Sequence, residues 1–312
     1  MREKKSFFAN QSPKGGKIAG FKIHHLEETV SKFAIVTDST SYIPAEYTGK
    51  YNLSVVPLTL IWGNETFLDG IDIQPAEFYS RLKTAKVMPS TSQPSPAAMQ
   101  NVFQGLVDKG MDVLGIFISS KLSGTVQSAI QAKDLMGSAG EKVTIVDSQA
   151  TAMALGFQVL AATRAKEAGA SLQECTTLAE KAHERSGIYF AVDTLEFLHR
   201  GGRIGGAQRF IGAALNMKPI LALKEGKVEA IDRIRTKSKA HDRILELVAE
   251  QTKGKSNIRL ASVHANAAED AQKLLDRAAS ELSATEKIFT EVSPVVGTHA
   301  GHGTVGLAYM FD

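Results

Sequence analysis

Several absences narrow the chain before any motif is considered. A single cysteine, Cys175, stands among 312 residues, so no disulfide framework can form within the chain, and a reducing, cytoplasmic location is expected. The most apolar stretches, 53–62 and 153–162, fall short of the roughly 18 apolar residues a membrane-spanning helix requires, so no stable membrane insertion is expected. The first 30 residues lack the apolar run of about 7 to 15 residues that a secretory leader carries, and none is expected. Charge of one sign is not in excess either, since 36 Lys and Arg face 33 Asp and Glu. Residues 1–32 hold seven of the basic and three of the acidic residues, which leaves 29 against 30 in the remainder. The net positive charge therefore belongs to this extension, for which contact with anionic membrane is one option left open, and no nucleic-acid partner is expected. No internal repeat of fixed period and no low-complexity tract is present.

What is there is ordinary globular material, 43% hydrophobic and 22% charged, long enough for one large or two moderate α/β domains. Residues 1–32 are rich in Gly, Lys and Ser without an apolar period, and are expected to be poorly ordered. From Phe33 the texture changes. Short apolar runs at 33–36, 53–60, 113–118, 143–146, 188–192, 258–263 and 287–292 read as buried strands. Helical patterns lie between most of them, at 75–82, 96–107, 125–135, 150–167, 172–183, 238–251 and 267–282, two of them opened by a proline in the first turn. This alternation predicts an α/β fold whose N-terminal domain, 33–190, has a parallel sheet with helices on both faces, followed by a smaller α/β domain, 191–312. In the second domain a glycine-rich stretch, 201–206, leads to a short helix and a hairpin turning at Glu225 and Gly226.

Ligands in open α/β sheets bind at the carboxyl ends of strands, so the polar clusters after the apolar runs carry the functional signal. Four stand out: Thr37 to Ser41, Pro89 to Ser95, Ser119 to Thr125 and Gly297 to Thr304. The third opens a predicted helix, where free backbone N–H groups favour an anion. Ser and Thr are also the preferred caps and turn residues, so each cluster alone has a structural reading.

Five motifs in order carry a resemblance: Ile35 to Thr40, Pro89 to Ser95, Leu122-Ser123-Gly124-Thr125, Gly202-Arg203-Ile204, and Gly297-Thr298-His299 with Gly301 and Gly303. Over residues 33–312 the chain resembles the DegV family, which includes the fatty-acid-binding subunits of bacterial fatty acid kinase. The resemblance implies a two-domain carrier holding one long-chain fatty acid between its domains. It has no other cofactor, and it presents the carboxyl group to a separate ATP-dependent kinase that makes acyl phosphate for phospholipid synthesis. It places Thr91 and Ser123 on the carboxyl group and His299 beside it, with Ser92 and Gly124 as adjoining contacts. Arg203 corresponds to a surface arginine associated with docking the kinase. The N-terminal domain would carry most of the head-group site, the C-terminal domain would line the acyl pocket, and the His299 loop would return to the site. His302 stands where many members have proline, which would put a second titratable group near the head group.

The energetics suit such a ligand. Burying about 14 methylenes at about 0.8 kcal/mol each yields on the order of 11 kcal/mol, against an association cost of roughly 4 to 15 kcal/mol. The tail therefore decides whether binding occurs, and the hydroxyls orient the carboxyl. Apolar stretches at 210–217 and 153–156 are candidates for the tail wall. A serine hydrolase using Ser92 or Ser123 with His299 and Asp38 is the rival enzymatic reading; no Gly-x-Ser-x-Gly elbow supports it. His299 with His302, or His24 with His25, makes a poor metal set without Cys or acidic neighbours. The turn after the first strand lacks the Gly-x-Gly-x-x-Gly of a dinucleotide site. Asp38 itself reads as a cap holding the loop after the first strand.

Overall fold

The computed structural model describes residues 32–212 and 217–312. The extension expected at 1–32 thus lies, up to residue 31, outside the described residues, and so do residues 213–216 of the 210–217 stretch. The first half of the chain runs β1 (Phe33–Asp38), α1 (Ala45–Lys50), β2 (Ser54–Val56), β3 (Thr59–Trp62), β4 (Glu65–Leu68), α2 (Pro75–Leu82) and β5 (Ser90–Ser92). It continues through α3 (Pro96–Val107), β6 (Asp112–Phe117), α4 (Thr125–Leu135), β7 (Val143–Asp147), α5 (Ala152–Glu167) and α6 (Leu172–Lys181). The second half runs β8 (Ser186–Ala191), α7 (Glu196–Arg200), β9 (Lys218–Lys224), β10 (Lys227–Ile234) and α8 (Lys237–Thr252). It ends with β11 (Arg259–His264), α9 (Ala268–Glu281), β12 (Glu286–Glu291), α10 (Pro294–Ala300) and β13 (Val305–Met310).

The continuous apolar run of β1 has its physical reason in the first sheet, a parallel array in the order β2-β1-β6-β7. Every residue of β1 is buried, because apolar clusters cover both faces: one with α3 and α4 through Met99, Phe103, Ala129 and Ala132, the other with α5. The second sheet, in the order β10-β9-β8-β13-β11-β12, is antiparallel except for the parallel β11–β12 pair. Its outer face packs on α8 and α9 through Ile244, Val248, Leu274 and Leu275. Its inner face shares one apolar cluster with the first sheet, so Ile35 and Ile116 belong to the same core as Val263 and Ala308. Helix α5 lies in that shared core and is apolar nearly all round, as a helix buried on every side must be.

The sequence pattern and the structure differ at three places that matter for the site. The run at 53–60 is two strands in two sheets: β2 pairs with β1, while β3 joins a small antiparallel sheet in the order β4-β3-β5. Pro57, with no N–H to continue the ladder, stands at the break. The hydroxyl-rich segment read as a loop at 89–95 contains β5, whose Thr91 pairs with Leu60 of β3. The segment read as a glycine-rich loop at 297–304 begins inside α10, opened by Pro294 at its first position. The hairpin forms as the turn residues predict, with Glu225 and Gly226 both at positive φ, 49° and 76°. The second sheet begins at Ser186, and the chain from Ser31 to Asp312 forms one compact unit.

Candidate functional site

Strand ends and short loops converge where the two sheets meet. At the end of β1 the Asp38 carboxylate accepts hydrogen bonds from the Thr40 backbone N–H (2.9 Å), the Thr40 hydroxyl (2.6 Å) and the Ile118 N–H (2.7 Å). The expected capping role is thus what the geometry shows. The bond to Ile118 also locks the exit of β6 and so the loop that carries Ser123. That loop is held from the other side too, since Ser119 Oγ donates to Gly226 O in the hairpin turn at 2.8 Å. Burial pushes the Asp38 carboxyl up to about 6, against the lowering effect of the bonds it accepts.

Ser123 Oγ lies 2.9 Å from Thr125 Oγ1 at the start of α4. Between them Gly124 lets this turn approach β5: a Cβ there would stand 3.0 Å from Gln93 Cδ. Thr91 Oγ1 meets His299 Nε2 at 2.8 Å, joining β5 to α10. The other ring nitrogen, Nδ1, is buried without a partner, and a Cβ on Gly201 would collide with it. Burial, and secondarily the positive charge of Arg203, pushes the His299 imidazole down to about 4, so the ring is neutral at neutral pH. A neutral ring carries one N–H. Placing it on Nδ1 would leave a buried donor unpaired, whereas placing it on Nε2 leaves only a weaker unmet acceptor. His299 therefore donates to Thr91 Oγ1, and the Thr91 hydroxyl hydrogen is free to point elsewhere.

Arg203 is half-buried rather than a free surface group. Its Nε donates to Leu122 O at 3.0 Å and its Nη1 to Gly201 O at 2.6 Å. These contacts close a ring: Thr91 to His299, His299 against Gly201, Gly201 to Arg203, Arg203 to Leu122 beside Ser123, and Gly124 against Gln93, two residues from Thr91. The ring lies on a cavity between the elements that carry it. Thr91, Ser92, Ser123, Arg203 and His299 all line it; Gly124 does not, and acts by close packing behind the wall. The rest of the wall is mostly aliphatic, with Ile118 and Leu122 from the first sheet's side, Ile188, Leu223 and Val263 from the second, and Val295 and Ala300 from α10. No carboxylate is among the lining residues.

Two expectations about the tail wall and the second histidine are corrected. Met153, Ala154 and Leu155 are core residues at 1% exposure or less, away from the cavity, because the buried α5 is packed from all sides. His302 is exposed and lies edge-on to Phe197, with ring centroids 5.8 Å apart, outside the cavity wall. A serine triad is not assembled: His299 bonds a threonine, Ser123 bonds Thr125, and Asp38 is engaged by Thr40 and Ile118. His24 and His25 lie outside the described residues, among which no group of three or more His, Cys, Asp or Glu is placed to hold a metal ion.

A family model described as an uncharacterised protein of the DegV family matches residues 32–312. The chain belongs to the DegV family. A DegV domain-containing protein of Halalkalibacterium halodurans is 34% identical over 284 residues, covering 91% of this chain and all of the relative. Among solved structures, a DegV family protein from Thermus thermophilus described by its fatty acid binding is 37% identical with a TM-score of 0.85, covering 90% of this chain and 100% of that one. DegV of Bacillus subtilis, described as a fatty acid binding protein, is 32% identical with a TM-score of 0.82 over the same shares.

Sequence reasoning assigned no role to four polar residues of this DegV cavity, Tyr42, Gln93, Thr151 and Thr304. Gln93 was in a quoted motif, yet its contact with Gly124 depends on tertiary packing. Thr304 lines the wall while donating to Ala300 O at 2.9 Å and Gly301 O at 3.0 Å. Thr151 also lines the wall, and its buried hydroxyl has no partner. The sequence pattern runs the helix from 150, which hides that Thr151 is the residue before α5 and makes no side-chain cap there.

Proposed function

We propose that this chain binds one long-chain fatty acid, with the carboxyl group at Thr91, Ser123 and His299 and the acyl chain along the aliphatic wall. The observation that carries this reading is the closed polar ring on an otherwise aliphatic, carboxylate-free cavity. Such a site matches an amphiphile with a single anionic end. The neutral His299 fixes the Thr91 hydroxyl as a donor toward the ligand, the half-buried Arg203 adds positive potential, and Ser92 and Gly124 complete the approach. The ligand described for the Thermus and Bacillus relatives is of the same class. Lipid extracted from protein purified under native conditions is expected to contain close to one fatty acid per chain by mass spectrometry. Protein that carries none and takes up no fluorescent fatty acid would refute the assignment.

The wider proposal is that of a non-catalytic, cytoplasmic carrier for phospholipid synthesis. A separate fatty acid kinase transfers the γ-phosphoryl group of ATP to the bound carboxylate, releasing ADP and leaving acyl phosphate in the cavity. Charge supports a docking face at Arg203, since residues 200–239 hold ten Lys and Arg against three Asp and Glu. The near-neutral balance of the folded part thus conceals a basic stretch of chain suited to an acidic partner. Replacing Arg203 by Ala is expected to weaken fatty-acid binding through the lost positive potential, and to lower acyl-phosphate formation at saturating fatty acid by at least about tenfold beyond that loss, read by coupled kinase assay. An equal loss of both would mean that the arginine serves only to hold the Ser123 loop.

A further inference from the structure

We infer that Asp69 is the positioning residue that sets His299 over Thr91 by clamping the first turn of α10. The inference rests on the fatty-acid reading only for its binding readout. Asp69 follows β4 and is 2% exposed. Its Oδ2 accepts the Ser39 hydroxyl at 2.7 Å and its Oδ1 accepts the Val295 N–H at 3.1 Å. Ser39 Oγ in turn accepts the Leu58 N–H at 3.1 Å, and the Asp69 N–H donates to Leu58 O at 2.9 Å. One carboxylate therefore links the loop after β1, the lead-in to β3 and the start of α10. Both Leu58 and Val295 are cavity-wall residues.

The link reaches the head group through helix geometry. Val295 and His299 are four apart, so they share one face of α10 a single turn from each other, and a displacement of the Val295 N–H is carried directly to the ring. The helix is braced from a second side, where Tyr79 Oη donates to Val292 O at 3.0 Å and lies against Gly297. That brace holds the lead-in and middle of α10, while Asp69 alone holds the first-turn amide. The choice of residue is itself informative. No Lys, Arg or His pairs with Asp69 among the described residues, and its buried neighbours are Asp38, Tyr42 and Tyr79. An unpaired buried anion is costly, and burial pushes its carboxyl above the ordinary range. A carboxylate offers two acceptor oxygens to donors that approach from different elements, Ser39 on one side and Val295 with the Ser293 hydroxyl at the start of α10 on the other; asparagine offers one.

The test is a double-mutant cycle read in two ways. Asp69→Ala is expected to weaken uptake of a fluorescent polyene fatty acid at least about tenfold, and Asp69→Asn to fall between it and the parent. In a His299→Gln background the same changes are expected to cost less than about twofold. In the ligand-free protein, the His299 imidazole ¹⁵N signals should shift in Asp69→Ala and return toward the parent in Asp69→Asn. Undiminished loss in the His299→Gln background, or unmoved His299 signals, would overturn the inference. Should Asp69→Ala fail to fold, Asp69→Asn run through the same cycle decides. Should the parent protein not take up the probe, the fatty-acid reading fails while the ligand-free ring signals still decide the role of Asp69.

Discussion

Changing Thr91 to Val together with Ser123 to Ala is expected to weaken fatty-acid binding by roughly 10²-fold or more while moving the unfolding temperature by only a few degrees. Each hydroxyl gives a hydrogen bond to a carboxylate, worth about 1.5–3 kcal/mol, so the pair accounts for about 3–6 kcal/mol of orientation and affinity. Valine keeps the shape of threonine and both positions are only half-buried, so the fold loses chiefly the partners of His299 Nε2 and Thr125 Oγ1. Titration with a fluorescent fatty acid, alongside thermal unfolding, reads both quantities; unchanged affinity would remove the head-group assignment. The pH profile supplies a second check. Burial holds the His299 imidazole at about 4, so the ring does not titrate between pH 6 and 8, and the parent's affinity is expected to be flat there. A binding transition near pH 6.5 in the parent that disappears in His299→Gln would show the ring to be charged in this range. The sign for stability follows from the same shift. The folded value lies below the ordinary 6.5, so this group's contribution is present above about 6.5 and is lost as pH falls toward 4.

The fold's framework is legible in the sequence where burial is complete and local. The run at 33–36 names β1 because a strand covered on both faces needs no polar alternation, and Pro75 and Pro96 mark the starts of α2 and α3 to the residue. The same logic fails at β5. A three-residue edge strand of Ser, Thr and Ser has no apolar signature, and only its pairing with β3 makes it a strand. It fails at α10 for a different reason: the seven-residue helix is embedded among glycines, and its proline start is the lone local cue.

The site follows the same division. Five of the six candidate site residues line one cavity, yet the contacts that make them a site are long-range. Thr91 and His299 are 208 positions apart, and Arg203 reaches Leu122 across 81. Motif order identifies such residues without indicating that Arg203 turns inward or that His302 turns out. Composition misled in one respect. A balance of 29 basic against 30 acidic residues beyond the extension suggests an even surface, whereas ten of the basic ones fall within 200–239. Net charge is a sum, and docking depends on its distribution.

Asp38 carries the largest expected effect on stability. Asp38→Ala removes the acceptor for two buried backbone N–H groups, those of Thr40 and Ile118, and for the Thr40 hydroxyl. Each buried donor left unpaired costs about 1–3 kcal/mol, so the two amides alone imply a loss of about 2–6 kcal/mol, a large share of the roughly 5–15 kcal/mol that holds a domain together. The pH dependence has a definite sign. Burial raises the carboxyl from 3.8 in the reference state to about 6. The folded state therefore binds the extra proton between those values, and the group's contribution, complete below about 3.8, declines as pH rises through about 6. Chemical denaturation of the parent and Asp38→Ala should accordingly show a larger stability difference at pH 4.5 than at pH 7.5. The opposite ordering would mean that the three donors around the carboxylate outweigh its desolvation and hold it ionised below the ordinary range. Either result fixes the charge at the exit of β1, and with it how rigidly the Ser123 loop is presented to the carboxyl group of the ligand.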